Sequence, residues 1–180
     1  MILPVLQTAR LLLNPFEAED GEMLHALWTD PDIRRHLWDD EVIPPARAAA
    51  TVDAAIESAR ASGVGMWTLR AVSAPSILIG FGGLRPLPDG TAVELLYGLR
   101  PDCWGRGLAT DASEAILRYA FGTLALPRVL GGADASNGRS LGVMQRLGMT
   151  PLPDAVPGLP GATYYSIERA AYFARARPVR

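Results

Sequence analysis

Lysine is absent from this sequence: all 17 basic residues are arginine, so no lysine-dependent phosphate loop of the Walker type can be built. Cysteine is nearly absent. The single thiol, Cys103, rules out an internal disulfide framework, and with only His25 and His36 beside it there is no ligand spacing for a structural zinc, so no metal is expected. Long apolar runs are missing too, none reaching the roughly 18 residues of a membrane span. Residues 1–13 lack a basic n-region and a small-residue cleavage site, and do not read as a signal peptide. These absences point to a cytoplasmic protein. With pI near 5.7 and no basic run, nucleic-acid binding is not indicated.

What is present suits one folded unit. A length of 180 residues fits a single domain over 1–180, and 49% apolar against 20% charged residues allows a real core. Charge is placed unevenly. Residues 1–60 hold 11 acids against 5 arginines, while residues 61–180 hold 8 acids against 12 arginines, an asymmetry that suggests two different partners.

Periodicity predicts a helix over 18–28, with Met23, Leu24, Leu27 and Trp28 at helical spacing and Asp20 as N-cap. Asp30-Pro31 opens a short helix through Leu37, and 46–62 carries Val52, Ala55, Ile56 and Ala59 on one face before Gly63. From Met66 the period changes. Strands over 66–72, 77–84 and 92–99 form an antiparallel meander, the first two joined by a turn at 73–76. A helix over 107–124, a strand over 128–133, a helix over 137–147 and a strand over 163–169 follow, with a loop at 151–161. This order gives an α+β (mixed α/β) fold with a mostly antiparallel central sheet.

The most informative stretch is residues 100–110, Arg-Pro-Asp-Cys-Trp-Gly-Arg-Gly-Leu-Ala-Thr, between a strand and a helix. Two glycines at a helix start let backbone amides converge on an anion, and the helix N-terminus adds partial positive charge. The stretch reads as a diphosphate site; the alternative is a plain glycine-containing turn. A dinucleotide fingerprint fails, because Thr110 stands where glycine or alanine is needed and no acid follows about 20 residues on.

Here the sequence resembles the GNAT superfamily of acetyl-CoA-dependent N-acetyltransferases, in its RimJ/RimL-type branch. Thr8-Ala9-Arg10-Leu11-Leu12-Leu13 is similar to that branch's opening T-x-R-L-x-L, and Asp30-Pro31-Asp32-Ile33 to its D-P-E-V helix start. Residues 94–99 resemble its E-I-G-Y-x-L strand, and 101–110 its P-x-x-W-G-x-G-x-A-T. Asn137 to Ser140 and Leu147-Gly148-Met149 resemble N-x-x-S followed by L-G-F. The resemblance implies a GNAT-like sheet with helices on both faces. It implies that the backbone amides of Trp104, Gly105, Arg106, Gly107, Leu108, Ala109 and Thr110 hold the pyrophosphate of acetyl-CoA. Tyr97, Gly98 and Leu99 would pair through their main chain with the pantetheine amides, in a gap that a β-bulge opens between two parallel strands. Asn137 would hydrogen-bond the pantetheine arm, and Arg106 and Arg139 are candidate phosphate contacts.

Amide formation by direct attack needs a neutral amine, an oriented thioester and a proton for the leaving thiolate. An α-amino group with a pKa of about 7.7–8.0 is substantially neutral at cellular pH, so a modest base suffices. Glu94, which matches the branch's strand glutamate, is the candidate base. His36 and the acids from Asp39 to Glu41 are alternatives that would bind or deprotonate the acceptor. The tyrosine that many superfamily members use to protonate CoA is replaced by Met144, which leaves Ser140 as candidate acid; the glutamate that some relatives carry on the next strand falls at Gly132. Cys103 has no histidine partner in sequence and reads as loop packing. His36, Trp38, Asp39 and Asp40 suit a cationic amine or a protein N-terminus as acceptor, through charge and cation–π attraction. The reading is an N-acetyltransferase; the alternative is a non-catalytic acetyl-CoA-binding or sensor module. A homodimer is left open.

Overall fold

The structure is a computed structural model that describes residues 2–152 and 162–175. Eight strands share one sheet, β1 (Leu6–Gln7), β2 (Leu11–Pro15), β3 (Met66–Ala71), β4 (Ala74–Pro86), β5 (Val93–Leu99), β6 (Arg128–Asp134), β8 (Ala162–Glu168) and β7 (Thr150–Pro151) in that spatial order. Strands β1 and β2 form one edge. Helices α1 (Gly21–Trp28), α2 (Pro31–Leu37) and α3 (Pro45–Ser62) follow. The meander is β3, β4 and β5. Then come α4 (Leu108–Gly122), β6, α5 (Gly138–Arg146), β7, β8 and α6 (Arg169–Arg175). The fold is mixed α/β, its sheet mostly antiparallel, as expected.

The period-2 alternation of the strands sorts side chains onto two cores. Met66 joins Leu24, Trp28, Ile33, Val52 and Phe81 beneath α1–α3, whereas its neighbour Trp67 joins Leu69, Ile116, Leu117, Ala120 and Phe121 on the α4 face. Each face is thereby closed by helices. Among the described residues, no helix is long and apolar enough to cross a membrane.

Several local expectations change. Asp20 stands at the N-cap position of α1, as expected, but its carboxylate does not cap that helix: it accepts the Glu17 N–H at 2.9 Å and closes a capping box with Glu17 at the preceding 3-10 turn. Met23, on the outer side of α1, is exposed. The β3–β4 connection is tighter than a turn at 73–76, because Ala71 pairs with Ala74 and the strands shift register around Arg70, whose guanidinium holds the Ser76 carbonyl at 3.0 Å. Thus Ala74 to Ser76 belong to the strand. Short strands β1 and β7 and helix α6 carry too few periodic positions to stand out in sequence. Of the loop expected at 151–161, residues 153–161 lie outside the described residues, and Pro151 ends β7.

The geometry that matters lies between β5 and β6. Register between β4 and β5 is unbroken from Gly80↔Leu99 to Pro86↔Val93, so the expected bulge does not interrupt this pairing of β5. Strands β5 and β6 run parallel and meet at Glu94↔Leu130. Beyond that pair, Leu95 to Leu99 on one strand and Gly132 and Ala133 on the other line a common cavity.

Candidate active site

The cavity holds about 560 Å³. Its walls are the two strands, the loop into α4, the first turns of α5 and, across the opening, α2. Of the residues expected to hold acetyl-CoA, Tyr97, Gly98, Leu99, Trp104, Gly105, Gly107, Leu108, Ala109, Thr110, Asn137 and Arg139 all line it; Arg106 does not.

The loop shape follows from its glycines. Pro101–Cys103 makes one 3-10 turn, and then Gly105 and Gly107 each take φ of 73°, a left-handed conformation that costs an L side chain roughly 1–2 kcal/mol. Gly107 is the N-cap of α4, and no side chain caps that helix. The first N–H groups of α4 therefore have no partner inside the helix, and the residues carrying them line the cavity.

Side chains around the loop have defined tasks. Trp104 donates its indole N–H to the Leu99 carbonyl at 2.7 Å, so that carbonyl, expected to face the pantetheine, already has a donor. The Arg139 guanidinium lies 4.6 Å from the Trp104 ring centre, bringing positive charge to the cradle by cation–π stacking. Arg146, not singled out from the sequence, also lines the cavity and donates to Thr110 Oγ1 at 3.3 Å. Its signal was legible: Arg139, Gly142 and Arg146 recur at helical spacing and share a face of α5. Asn137 caps α5, accepting the Ser140 N–H at 3.1 Å, which leaves its amide NH₂ as the group open to a ligand.

Ser140 and Tyr97 meet at the cavity wall. The Ser140 hydroxyl donates to the Tyr97 hydroxyl at 3.2 Å, and the phenol donates to the Ser140 carbonyl at 3.1 Å. Burial pushes the Tyr97 phenol up to about 12, so it remains protonated through the physiological range.

Glu94 stands at the closed end of the splay. It is 3% exposed and does not line the cavity; its Oε2 accepts from Arg85 Nη2 at 2.6 Å across the β4–β5 pair. Its Oε1 lies 2.9 Å from where a Cβ on Gly132 would stand, and Tyr164 Cε1 lies 2.5 Å from that point. The Tyr164 ring and the Glu94 carboxylate therefore together take the place of the side chain that β6 lacks at Gly132. Burial, and then the Glu94 charge, push the Tyr164 phenol up to about 12. Arg85 and Tyr164 escaped the sequence reading because only strand pairing places them here.

Among the expected acceptor residues, His36 lines the cavity and Trp38, Asp39 and Asp40 do not. Asp40 accepts from Arg34 Nε at 2.8 Å, Glu41 pairs with Arg47 at 2.8 Å, and Arg47 sits 5.0 Å from the Trp38 ring centre. Asp39 and Asp40 hold φ of 52° and 65°, a left-handed turn that aspartate tolerates better than most residues. The acidic loop is thus a helix-ending turn in which Asp40 and Glu41 are paired with nearby arginines. His36 instead pairs with Asp134 at 3.0 Å, linking α2 to the end of β6. Cys103 is buried, and burial and Asp102 push its thiol up, in keeping with packing rather than attack. Among the described residues no cluster of three or more His, Cys, Asp or Glu could hold a metal ion.

A mixed sheet parted at a parallel pair, with open amides of a helix N-terminus at the gap, suits an elongated ligand that carries a diphosphate at one end. The sequence carries this to a family: residues 10–150 match the acetyltransferase (GNAT) domain, and the chain belongs to that family. It is an acetyl-CoA-dependent N-acetyltransferase. The "FsC-acetyl coenzyme A-N(2)-transacetylase" of Aspergillus fumigatus is 28% identical over 97% of this chain and 80% of its own. An acetyltransferase structure from Agrobacterium tumefaciens superposes with a TM-score of 0.83 at 24% identity, covering 93% of this chain and 96% of that one. RimL, the ribosomal L7/L12 alpha-N-protein acetyltransferase in complex with coenzyme A, superposes with a TM-score of 0.74 at 18% identity, covering 95% and 99%.

Proposed function

We propose that this chain acetylates a primary amine, a protein N-terminus or a small amine, by direct attack on acetyl-CoA in a ternary complex, as a single-domain enzyme of the RimJ/RimL type. The observation that carries the reading is the continuity of one cavity from the amides of Gly107 and Leu108, past Asn137 and Ser140, to the strand gap beside Tyr97 and Gly98. The diphosphate occupies the amide cradle with Arg139 and Arg146 beside it, and the pantetheine arm lies in the gap along β5.

The thioester then lies toward the closed end of the splay, where Glu94 stands. Arg85 holds one carboxylate oxygen, and Oε1 is the atom that receives the amine proton, directly or through water. As the tetrahedral adduct collapses, the Ser140 hydroxyl swings its hydrogen from the Tyr97 oxygen to the leaving sulfur, gives up that proton and takes one back from water, while the Tyr97 phenol keeps its own proton on the Ser140 carbonyl. A second reading of the base is favoured by one fact: His36 lines the cavity and Glu94 does not. In it His36, its ring set by Asp134, takes the amine proton from the α2 side.

Thermal shift tests the cradle. Acetyl-CoA raises Tm while NAD and ATP do not, and Gly107→Trp, which forces a bulky side chain into a left-handed position beside Arg10 and so distorts the loop, abolishes the rise; an undiminished rise in the variant removes the cradle from the mechanism. Thiol release from acetyl-CoA with a panel of amines and N-terminal peptides then identifies the acceptor.

A further inference from the structure

The arginine of the opening T-x-R segment reaches the cradle loop from the far side of the sequence. Arg10 Nη1 donates to the Arg106 carbonyl at 2.8 Å and Nη2 to the Gly107 carbonyl at 3.2 Å. Its Nε donates to Asp111 Oδ2 at 3.2 Å, and the Thr8 hydroxyl donates to the same oxygen at 2.8 Å. Thr8 Oγ1 in turn accepts the Arg10 and Leu11 N–H groups, at 3.1 and 3.0 Å. One guanidinium fork thus grips two successive peptide groups, and its own aim is fixed by a carboxylate on the first turn of α4.

Peptide geometry gives this grip a consequence. A trans peptide group is planar, with its C=O and N–H pointing opposite ways. The Arg106 carbonyl shares a plane with the Gly107 N–H, and the Gly107 carbonyl shares one with the Leu108 N–H. Drawing both carbonyls toward Arg10 turns both N–H groups away from it, and Gly107 and Leu108 line the cavity. The Gly107 carbonyl also accepts the Asp111 N–H at 3.0 Å, so the helix already holds the second plane; left-handed glycines at 105 and 107 leave the first little intrinsic preference, and Arg10 is the restraint that selects its orientation. A charged donor on a carbonyl also polarises its peptide and strengthens the N–H as a donor.

We propose that Arg10, aimed by Asp111 and Thr8, is a positioning residue for the cradle: it orients the Gly107 amide, and reinforces the Leu108 amide that the helix already aims, toward the cofactor's diphosphate without touching it. This rests on the reading that acetyl-CoA binds there. Arg10 contributes to affinity through the diphosphate and not through the pantetheine arm, which a mere strand-to-loop brace would not do.

Calorimetric affinities for CoA and for pantetheine, which lacks the diphosphate, test it. Wild type binds CoA far more tightly than pantetheine. Arg10→Gln weakens CoA binding about tenfold and leaves pantetheine binding within about twofold, a tenfold change being about 1.4 kcal/mol. The Arg10 side chain is half exposed, so the variant is expected to fold. If it does not, Asp111→Ala, which removes the acceptor of both Arg10 Nε and Thr8 Oγ1 and so releases the guanidinium, carries the same test with the same expected loss. Affinities that fall in parallel for both ligands, or an unchanged CoA affinity, overturn the role of Arg10. A wild type that does not distinguish CoA from pantetheine overturns the cradle reading, and the role of Arg10 with it.

Discussion

The hydroxyls of Ser140 and Tyr97 lie 3.2 Å apart although 43 residues separate them, and the phenol reaches back to the carbonyl of the same serine. Two hydroxyls so joined act as a unit. Ser140→Ala lowers turnover by about 10²-fold or more, in the range of proton-transfer groups. Tyr97→Phe lowers it less, and the double variant is no worse than Ser140→Ala alone, because the phenol works through the serine. Losses that multiply in steady-state kinetics would show two independent roles.

Glu94→Gln separates the two candidate bases. With Glu94 as proton acceptor, turnover falls about 10²–10⁴-fold at pH 7 and the loss shrinks as pH rises and the amine deprotonates unaided. His36→Gln then costs far less. The reverse ranking, or an equal Glu94→Gln loss at pH 7 and at higher pH, would assign the glutamate to holding Arg85 and give the base to His36.

Asp39→Asn/Asp40→Asn leaves KM for a basic acceptor unchanged at low and high salt, because Asp40 is paired with Arg34 and the loop stands off the cavity. The Arg34 hydrogen bond holds the Asp40 carboxyl below its usual range. With the folded pKa depressed, its small contribution to stability is present above the ordinary carboxylate range and fades as pH falls through it. A salt-sensitive rise in KM would restore the loop as a recruiting surface.

Tyr97 and Tyr164 are both raised to about 12, chiefly by burial. In the unfolded chain they ionise near about 10. Stability is therefore unaffected by them below that value and declines as pH climbs toward 12, since only the unfolded state then loses protons readily. Denaturant titrations should show this decline, and Tyr97→Phe should lessen it. A stability that stays flat over that interval would place the phenols in water.

The fold was legible because its signals are local. Glycines at 105 and 107 mark a backbone that must turn left-handed before a helix, whatever surrounds them, and Asp30-Pro31 starts α2 by its own chemistry. The alternation Met66-Trp67 sorts two cores before either core is seen. The acidic turn shows the converse. Asp40 and Glu41 look like free charge in sequence, but Arg34 and Arg47, each six residues away, pair with them once the chain is folded.

Sequence by itself determined the glycine turn before α4, the meander and the family, because backbone conformation and hydrophobic period are encoded within a few residues. Tertiary structure alone decided which side chains face one another. Arg85 stands on Glu94, Asp134 on His36, Tyr97 on Ser140 and Arg10 on the loop at 106 and 107, four meetings made by strand register and chain return. Three of the four join residues more than 40 positions apart, a separation over which no sequence period survives. The division has a physical cause: torsional and burial preferences act on each residue where it stands, whereas hydrogen bonds between distant side chains exist only once packing has fixed the register of the sheet.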